Sequence, residues 1–187
     1  MQVPERYRIT SLAKKYAIEN IKAGNIVMDA TMGNGNDTLL LAQLTGSEGK
    51  VYSFDIQSKA IENTKELLSK NNACALLIND SHENLDVYIE EQLDFCVFNL
   101  GYLPGGDKHI TTKRQSTLEA VKKALDKLKV GGMMTVCIYP GHSEGYEEAT
   151  LLNQFFSQLS NKEVFVLYTS NINVNLSPYC IAAVKLK

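Results

Sequence analysis

The segment Asp29-Ala30-Thr31-Met32-Gly33-Asn34-Gly35-Asn36-Asp37-Thr38 sets two glycines between two carboxylates, in the turn after an apolar run. A turn between a strand and the next helix is where an open α/β sheet takes its ligands. Gly33 and Gly35 let the backbone bend sharply and approach a ligand with no side chain in the way. Asp55 ends the next apolar run, 26 residues beyond Asp29. A carboxylate there can accept hydrogen bonds from both hydroxyls of a ribose. Asp80, in Asn79-Asp80-Ser81-His82, follows the third run and is placed to meet an adenine edge. A dinucleotide fingerprint would need a third glycine where Thr38 stands, and Asp37 puts negative charge at the helix start that a pyrophosphate would occupy. The same charge suits a sulfonium or amino cation. The chemistry therefore moves from NAD toward S-adenosylmethionine. Helix capping by Asp37 or Thr38 is the plainer reading, and it leaves Asp29, Asp55 and Asp80 unexplained.

A second constellation follows the run Phe95–Phe98: Asn99-Leu100-Gly101-Tyr102-Leu103-Pro104-Gly105-Gly106-Asp107-Lys108. An amine attacking a sulfonium must aim its lone pair, so an acceptor such as the Asn99 side chain can hold its hydrogens. Tyr102 would form an aromatic wall that favours developing positive charge. In Tyr139-Pro140-Gly141-His142-Ser143-Glu144-Gly145, His142 could take or relay a proton near neutral pH, although a histidine at a core edge is as common. His82 could shield the adenine. His109, Lys108, Lys113 and Arg114 form the best basic patch. Lys122, Lys123, Lys127 and Lys129 could extend it, but a solvated helix face is the commoner meaning of such a run. Cys74, Cys96, Cys137 and Cys180 have neither metal-ligand nor redox spacing and read as buried structural thiols, so no metal is expected.

These residues need strands that end beside one another. Short apolar runs alternate with amphipathic stretches: strands at Ile26–Ala30, Val51–Phe54, Ala75–Ile78, Phe95–Phe98 and Met133–Ile138. Helices are expected from a Thr10 or Ser11 cap through about Lys22, after Asp37 to Leu44, at Ser58–Ser69 and at Glu147–Leu159, with a short helix or turn at Leu85–Glu91. Leu118, Val121, Leu125 and Leu128 mark one more helical stripe over Thr117–Leu128, which Gly131-Gly132 would stop. Such alternation predicts parallel strands with right-handed crossovers. Val164–Tyr168 and Cys180–Val184, separated only by the polar stretch Thr169–Pro178, predict a closing antiparallel pair.

The sequence has 187 residues, the size of one domain spanning 1–187, with no repeat or linker to divide it. A formal charge of −2 means that any nucleic-acid partner must be met by a local patch. Runs such as Leu39–Leu41 and Met133–Ile138 fall far short of the roughly 18 residues of a membrane span. The first residues do not resemble a signal peptide, so a cytoplasmic protein is expected.

With its glycine turn, acidic second-strand end, fourth-strand motif and terminal hairpin, the whole chain resembles the class I S-adenosylmethionine-dependent methyltransferases. That resemblance implies a Rossmann-like seven-stranded sheet, mostly parallel, with the last strand antiparallel. Thr31 stands where the first glycine of the family pattern usually stands. The three motifs together look more narrowly like a small bacterial family long labelled putative rRNA methylase, which includes the tRNA 5-aminomethyl-2-thiouridine methyltransferase. The resemblance implies cofactor contacts from Asp29, Thr31, Gly33, Gly35, Asn36, Asp37, Asp55, Gln57, Asp80, Ser81, His82 and Asn99. It implies substrate-side work by Asn99, Tyr102 and His142, and methylation of the aminomethyl nitrogen of a wobble uridine in tRNA. An rRNA base amine, a small-molecule acceptor and a non-catalytic nucleoside-binding module stay open as alternatives, and a homodimer is compatible.

Overall fold

The computed structural model of the chain describes residue 4 and residues 8–101 and 112–187. Its strands are β1 (Ile26–Asp29), β2 (Lys50–Phe54), β3 (Leu76–Ile78), β4 (Leu93–Asn99), β5 (Leu128–Ile138), β6 (Val164–Ser170) and β7 (Tyr179–Lys185). They form a seven-stranded sheet in the order β3-β2-β1-β4-β5-β7-β6. The pairs among β1 to β5 are parallel, and β7 lies antiparallel between β5 and β6. The helices are α1 (Ile9–Asn20), α2 (Asn36–Thr45), α3 (Ser58–Lys70), the short α4 (Leu85–Tyr88), α5 (Arg114–Lys127) and α6 (Ser143–Ser157).

Side chains alternate across the sheet, so each strand feeds two cores. Met28, Phe54, Cys96, Phe98 and Met134 face the layer of α4, α5 and α6, packing with Leu85, Val121, Leu125 and Leu152. Val27, Val51, Phe95, Val97 and Met133 face the other layer, against Ala17, Leu41 and Leu68 of α1, α2 and α3. Central strands buried on both faces explain why they read as continuous apolar runs. From β1 the chain steps outward to β2 and β3, then returns to place β4 on the other side of β1. The order reverses there, and a crevice opens outside the carboxyl ends of the strands.

Several expectations shift. The first helix starts at Ile9, with Arg8 in the cap position, so Thr10 and Ser11 lie inside it. The helix α5 ends at Lys127, and Leu128 opens β5 instead of closing the apolar stripe. Gly131-Gly132 does not stop a helix. It lies within β5, where the pairing jumps from Leu93↔Leu128 to Phe95↔Met133, an irregularity of the bulge type. Gly131 sits at φ +84°, and a Cβ on Gly132 would lie 2.9 Å from the Lys129 carbonyl oxygen. Cys74 is exposed, unlike the three buried cysteines, because it lies on the solvent side of the segment leading into β3. No described helix is long and apolar enough to cross a membrane.

Candidate active site

A cleft of about 1220 Å³ lies at the carboxyl ends of β1, β2, β4 and β5 and is lined by residues from each of the motifs above. Thr31, Gly33, Asn36, Asp37, Asp55, Gln57, Asp80, Ser81, His82, Asn99 and His142 all reach its wall. Tyr102, Lys108 and His109 lie outside the described residues. Asp29 and Gly35 are not on the wall.

Asp29 is fully buried beneath the glycine turn. Its Oδ1 accepts from the Thr31 amide at 3.1 Å and its Oδ2 from the Thr38 hydroxyl at 2.7 Å. It therefore ties the turn to the first residues of α2 and does not face a ligand. Burial, reinforced by the charge of Asp37, pushes its carboxyl up to about 7. Asp37 is raised as well, again chiefly by burial, with Lys14 at 3.8 Å and an Asn99 hydrogen bond opposing. Gly33 (φ +53°) and Gly35 (φ +81°) both use backbone angles that favour glycine. A Cβ on Gly35 would lie 2.7 Å from Thr64 Oγ1, so this glycine lets the turn pack on α3.

Asp55 follows β2 and shapes the turn from the other side. Its Oδ2 accepts from the Gly33 amide and its Oδ1 from the Gln57 amide, each at 2.9 Å. An ionised carboxylate has about four acceptor sites, so lone pairs remain for a diol. Asp80 is more occupied. It accepts from the Ser81 amide (2.7 Å), Asn84 Nδ2 (3.1 Å) and the Tyr88 hydroxyl (2.9 Å), and the Tyr88 bond leads the causes that hold its carboxyl below the usual carboxylate pKa. His82 is buried with Nδ1 3.0 Å from the Ala30 carbonyl oxygen, so Nδ1 carries the proton. Burial lowers its basicity and keeps the ring neutral. Its Nε2 is then a bare lone pair, buried and without a partner among the described residues.

At the tip of β4, the Asn99 amide N–H donates to Thr31 Oγ1 at 2.7 Å, joining β4 to the glycine turn. Asn99 Nδ2 donates to Asp37 at 3.4 Å, and Tyr139 donates its hydroxyl proton to Asn99 Oδ1 at 3.0 Å. The register pairs Asn99 with Cys137, so Tyr139, two residues on, lies on the same side of the sheet. His142 is the N-cap of α6, with Nδ1 accepting from the Gly145 amide at 3.0 Å. In the neutral ring the proton then sits on Nε2, which makes His142 a donor at the mouth.

Sequence reasoning assigns no role to Lys14, Tyr139, Thr112 or Glu148. Gly101 and Thr112 exchange hydrogen bonds of 3.0 Å each: the Gly101 amide to Thr112 Oγ1, and the Thr112 amide to the Gly101 carbonyl. Thr112 in turn donates to Glu148, buried on α6, which also accepts from Thr117 at 2.6 Å. This brace ties Gly101, just past β4, to Thr112 and to α6. Of the basic residues, Lys113 lines the cleft, whereas Lys122, Lys123 and Lys129 pair with Glu119, Asp86 and Asp94, and Arg114 pairs with Glu147. No group of acidic, histidine or cysteine side chains among the described residues could hold a metal ion.

The donor set fits a nucleoside with a cationic tail. Asp37 places negative charge at the N-terminus of α2, and Asp55 offers acceptors at the end of β2. The sheet order and this cleft define a class I S-adenosylmethionine-dependent methyltransferase. Residues 51–185 match the family described as putative rRNA methylase, and the chain belongs to that family. It is 37% identical to the chloroplastic tRNA (mnm5s2U34)-methyltransferase of Arabidopsis thaliana, over 94% of this chain and 69% of that protein. A putative rRNA-methylase from Clostridium thermocellum superposes with a TM-score of 0.93 at 39% identity, covering 99% of this chain and 100% of the other. A putative methyltransferase from Streptococcus mutans, solved in complex with SAH, gives 0.87 at 31% identity over 99% and 100%.

Proposed function

We propose that the chain methylates the 5-aminomethyl nitrogen of wobble 2-thiouridine in tRNA. The observation that carries this reading is Asn99. Its amide is locked between Tyr139 and Asp37 at the tip of β4, in the same cleft as Asp55 and the glycine turn. S-adenosylmethionine bound there supplies an electrophilic methyl group on a sulfonium. In this reading Thr31, Gly33, Asn36 and Asp37 flank its methionine part, and Asp55 with Gln57 holds its ribose. Asp80, Ser81 and His82 surround its adenine. Asn99 Oδ1 keeps one lone pair beyond the Tyr139 bond and can accept a hydrogen of the incoming amine, which aims the nitrogen. Asn99 would aim the neutral amine at the methyl group that S-adenosylmethionine would supply, with S-adenosylhomocysteine as the leaving product, and the surplus proton would leave through the mouth beside His142. The Arabidopsis relative is named for mnm5s2U34, the nucleoside that this methylation would produce.

The test is incubation with S-adenosylmethionine and either tRNA bearing 5-aminomethyl-2-thiouridine or ribosomal RNA, followed by nucleoside mass spectrometry. The reading expects 5-methylaminomethyl-2-thiouridine from the tRNA. A methylated rRNA amine with untouched tRNA would replace it by the rRNA alternative.

A further inference from the structure

Beside the cleft lies a second groove of about 650 Å³, walled by Tyr146 of α6, Tyr168 of β6, and Ile172 and Val174 of the turn joining β6 to β7. It runs into the cleft: Leu176 lines both, and Pro140 lines the groove between the cleft residues Tyr139 and Gly141. None of its described lining residues is charged, and the polar ones are amides and hydroxyls. The turn reads as polar in sequence, yet Ile172, Val174 and Leu176 alternate with asparagines and point outward. Ile172 is fully exposed, and Val174, Leu176, Tyr146 and Tyr168 are each half exposed or more.

The turn is built. Val174 donates its amide to the Asn171 carbonyl oxygen at 3.3 Å, and Asn171 Nδ2 donates to Ser177 Oγ at 3.2 Å. Leu176 sits at φ +48°, a conformation that a leucine keeps only where its surroundings enforce it. Holding aliphatic side chains together in water brings a folded chain no stability, so such a surface marks a partner.

The geometry points to nucleobases of a single-stranded RNA loop as that partner, with Tyr146, Tyr168 and the aliphatic tip of the turn receiving the bases that flank the target nucleotide. This rests on the RNA reading above. A base that reacts in an enclosed cleft must leave its stack, and its neighbours lose their stacking surface. Aromatic rings and aliphatic wedges replace that surface. The groove adjoins the end of the cleft where Asn99, Tyr139 and His142 stand, so flanking bases reach it when the target enters. Its lack of charge suits bases, whereas Lys14 and Lys113 on the cleft wall suit phosphates.

The test uses the full chain with Ile172→Ser and Tyr146→Ala, and a synthetic hairpin RNA carrying 2-aminopurine beside an unmodified loop uridine. Each variant should lose about tenfold in hairpin affinity, with an unchanged salt slope, because stacking and not phosphate pairing is removed. S-adenosylmethionine affinity should stay as in wild type, and the 2-aminopurine emission change on binding should shrink. Unchanged hairpin affinity in both variants overturns the proposal. So does a wild type that binds no hairpin, or a shift from dimer to monomer in sedimentation with RNA affinity intact, which would make the groove a self-association face. A wild type that binds the hairpin with these variant effects, yet methylates no aminomethyl-bearing tRNA, supports the groove and sinks the substrate reading alone.

Discussion

Tyr139 on the β5 side holds Asn99 on β4 through a 3.0 Å hydrogen bond, and Asp37 holds the same amide from its other end. An ionised carboxylate only accepts, so Asp37 faces the Asn99 nitrogen and the phenol must face the oxygen. The side chain is thereby fixed before a substrate arrives, which is how orientation lowers a barrier. Tyr139 is a positioning residue.

Tyr139→Phe keeps the ring and removes the hydroxyl. It should leave S-adenosylmethionine affinity within about threefold while slowing single-turnover methylation by roughly ten- to a hundredfold, the scale of a small misplacement of the reacting groups. Asn99→Ala should slow transfer at least as much. Because both act on one contact, the double variant should be little worse than Asn99→Ala. Full additivity of the two effects would separate Tyr139 from Asn99.

Asp55→Ala should weaken S-adenosylmethionine binding by roughly 1.5–3 kcal/mol, the range for hydrogen bonds to a charged group. Calorimetry on the folded variant reads this directly. The Gly33 amide also loses its acceptor, so the binding enthalpy should fall as well. Unchanged affinity would take Asp55 out of the cofactor's reach.

Much of the cleft's lining is legible in the sequence because a polar residue closes or soon follows the apolar run of each of the first four strands. Asp29, Asp55, Asp80 and Asn99 stand at or just past the ends of the first four strands for that reason. What cannot be read are choices made by packing. Asp29 looks like a ligand contact but is buried, since only the fold shows Thr31 and Thr38 closing over it. Glu148 looks like one more exposed helix acid, and only the docking of α6 on α5 brings it to Thr112 and Thr117. The basic run on α5 reads in sequence chiefly as a solvated helix face that could extend a nucleic-acid patch, and only the fold supplies partners such as Asp86 for Lys123. Gly131-Gly132 has the composition of a helix stop and serves a strand irregularity, which depends on the register with β4.

Gly35→Ala should destabilise the fold by roughly 1–3 kcal/mol, because an L residue there is strained at φ +81° and its Cβ collides with Thr64. Adding Thr64→Ala removes the two closest atoms, Oγ1 at 2.7 Å and Cγ2 at 2.8 Å, but leaves the strained angle and a 3.0 Å approach to Cα. The pair should therefore recover only part of the loss in urea unfolding. Complete recovery would mean that the backbone angle costs nothing, and no recovery that the contact with α3 is irrelevant.

The carboxyl of Asp29 is raised from 3.8 to about 7, first by burial and then by Asp37. A carboxyl raised on folding contributes stability that is complete below its unfolded value and is lost as pH climbs to the folded value. Asp29 should thus erode stability between about pH 4 and pH 7, by on the order of a few kcal/mol. Asp37 and Glu148, also raised by burial, slope the same way, while His82, lowered by burial, slopes the other. A single stability curve mixes these with the lowered carboxyls of Glu66, Asp80, Asp86 and Glu91, so the informative quantity is a difference. Asp29→Asn keeps an oxygen for the Thr31 amide and can donate its NH2 to Thr38 Oγ1, so the turn retains its ties without a titrating group. Urea midpoints at constant m-value, measured for both proteins from pH 4 to pH 7.5, give that difference. The variant should gain steadily on the wild type as pH rises and level off near pH 7. Parallel curves would show that Asp29 ionises normally beneath the glycine turn.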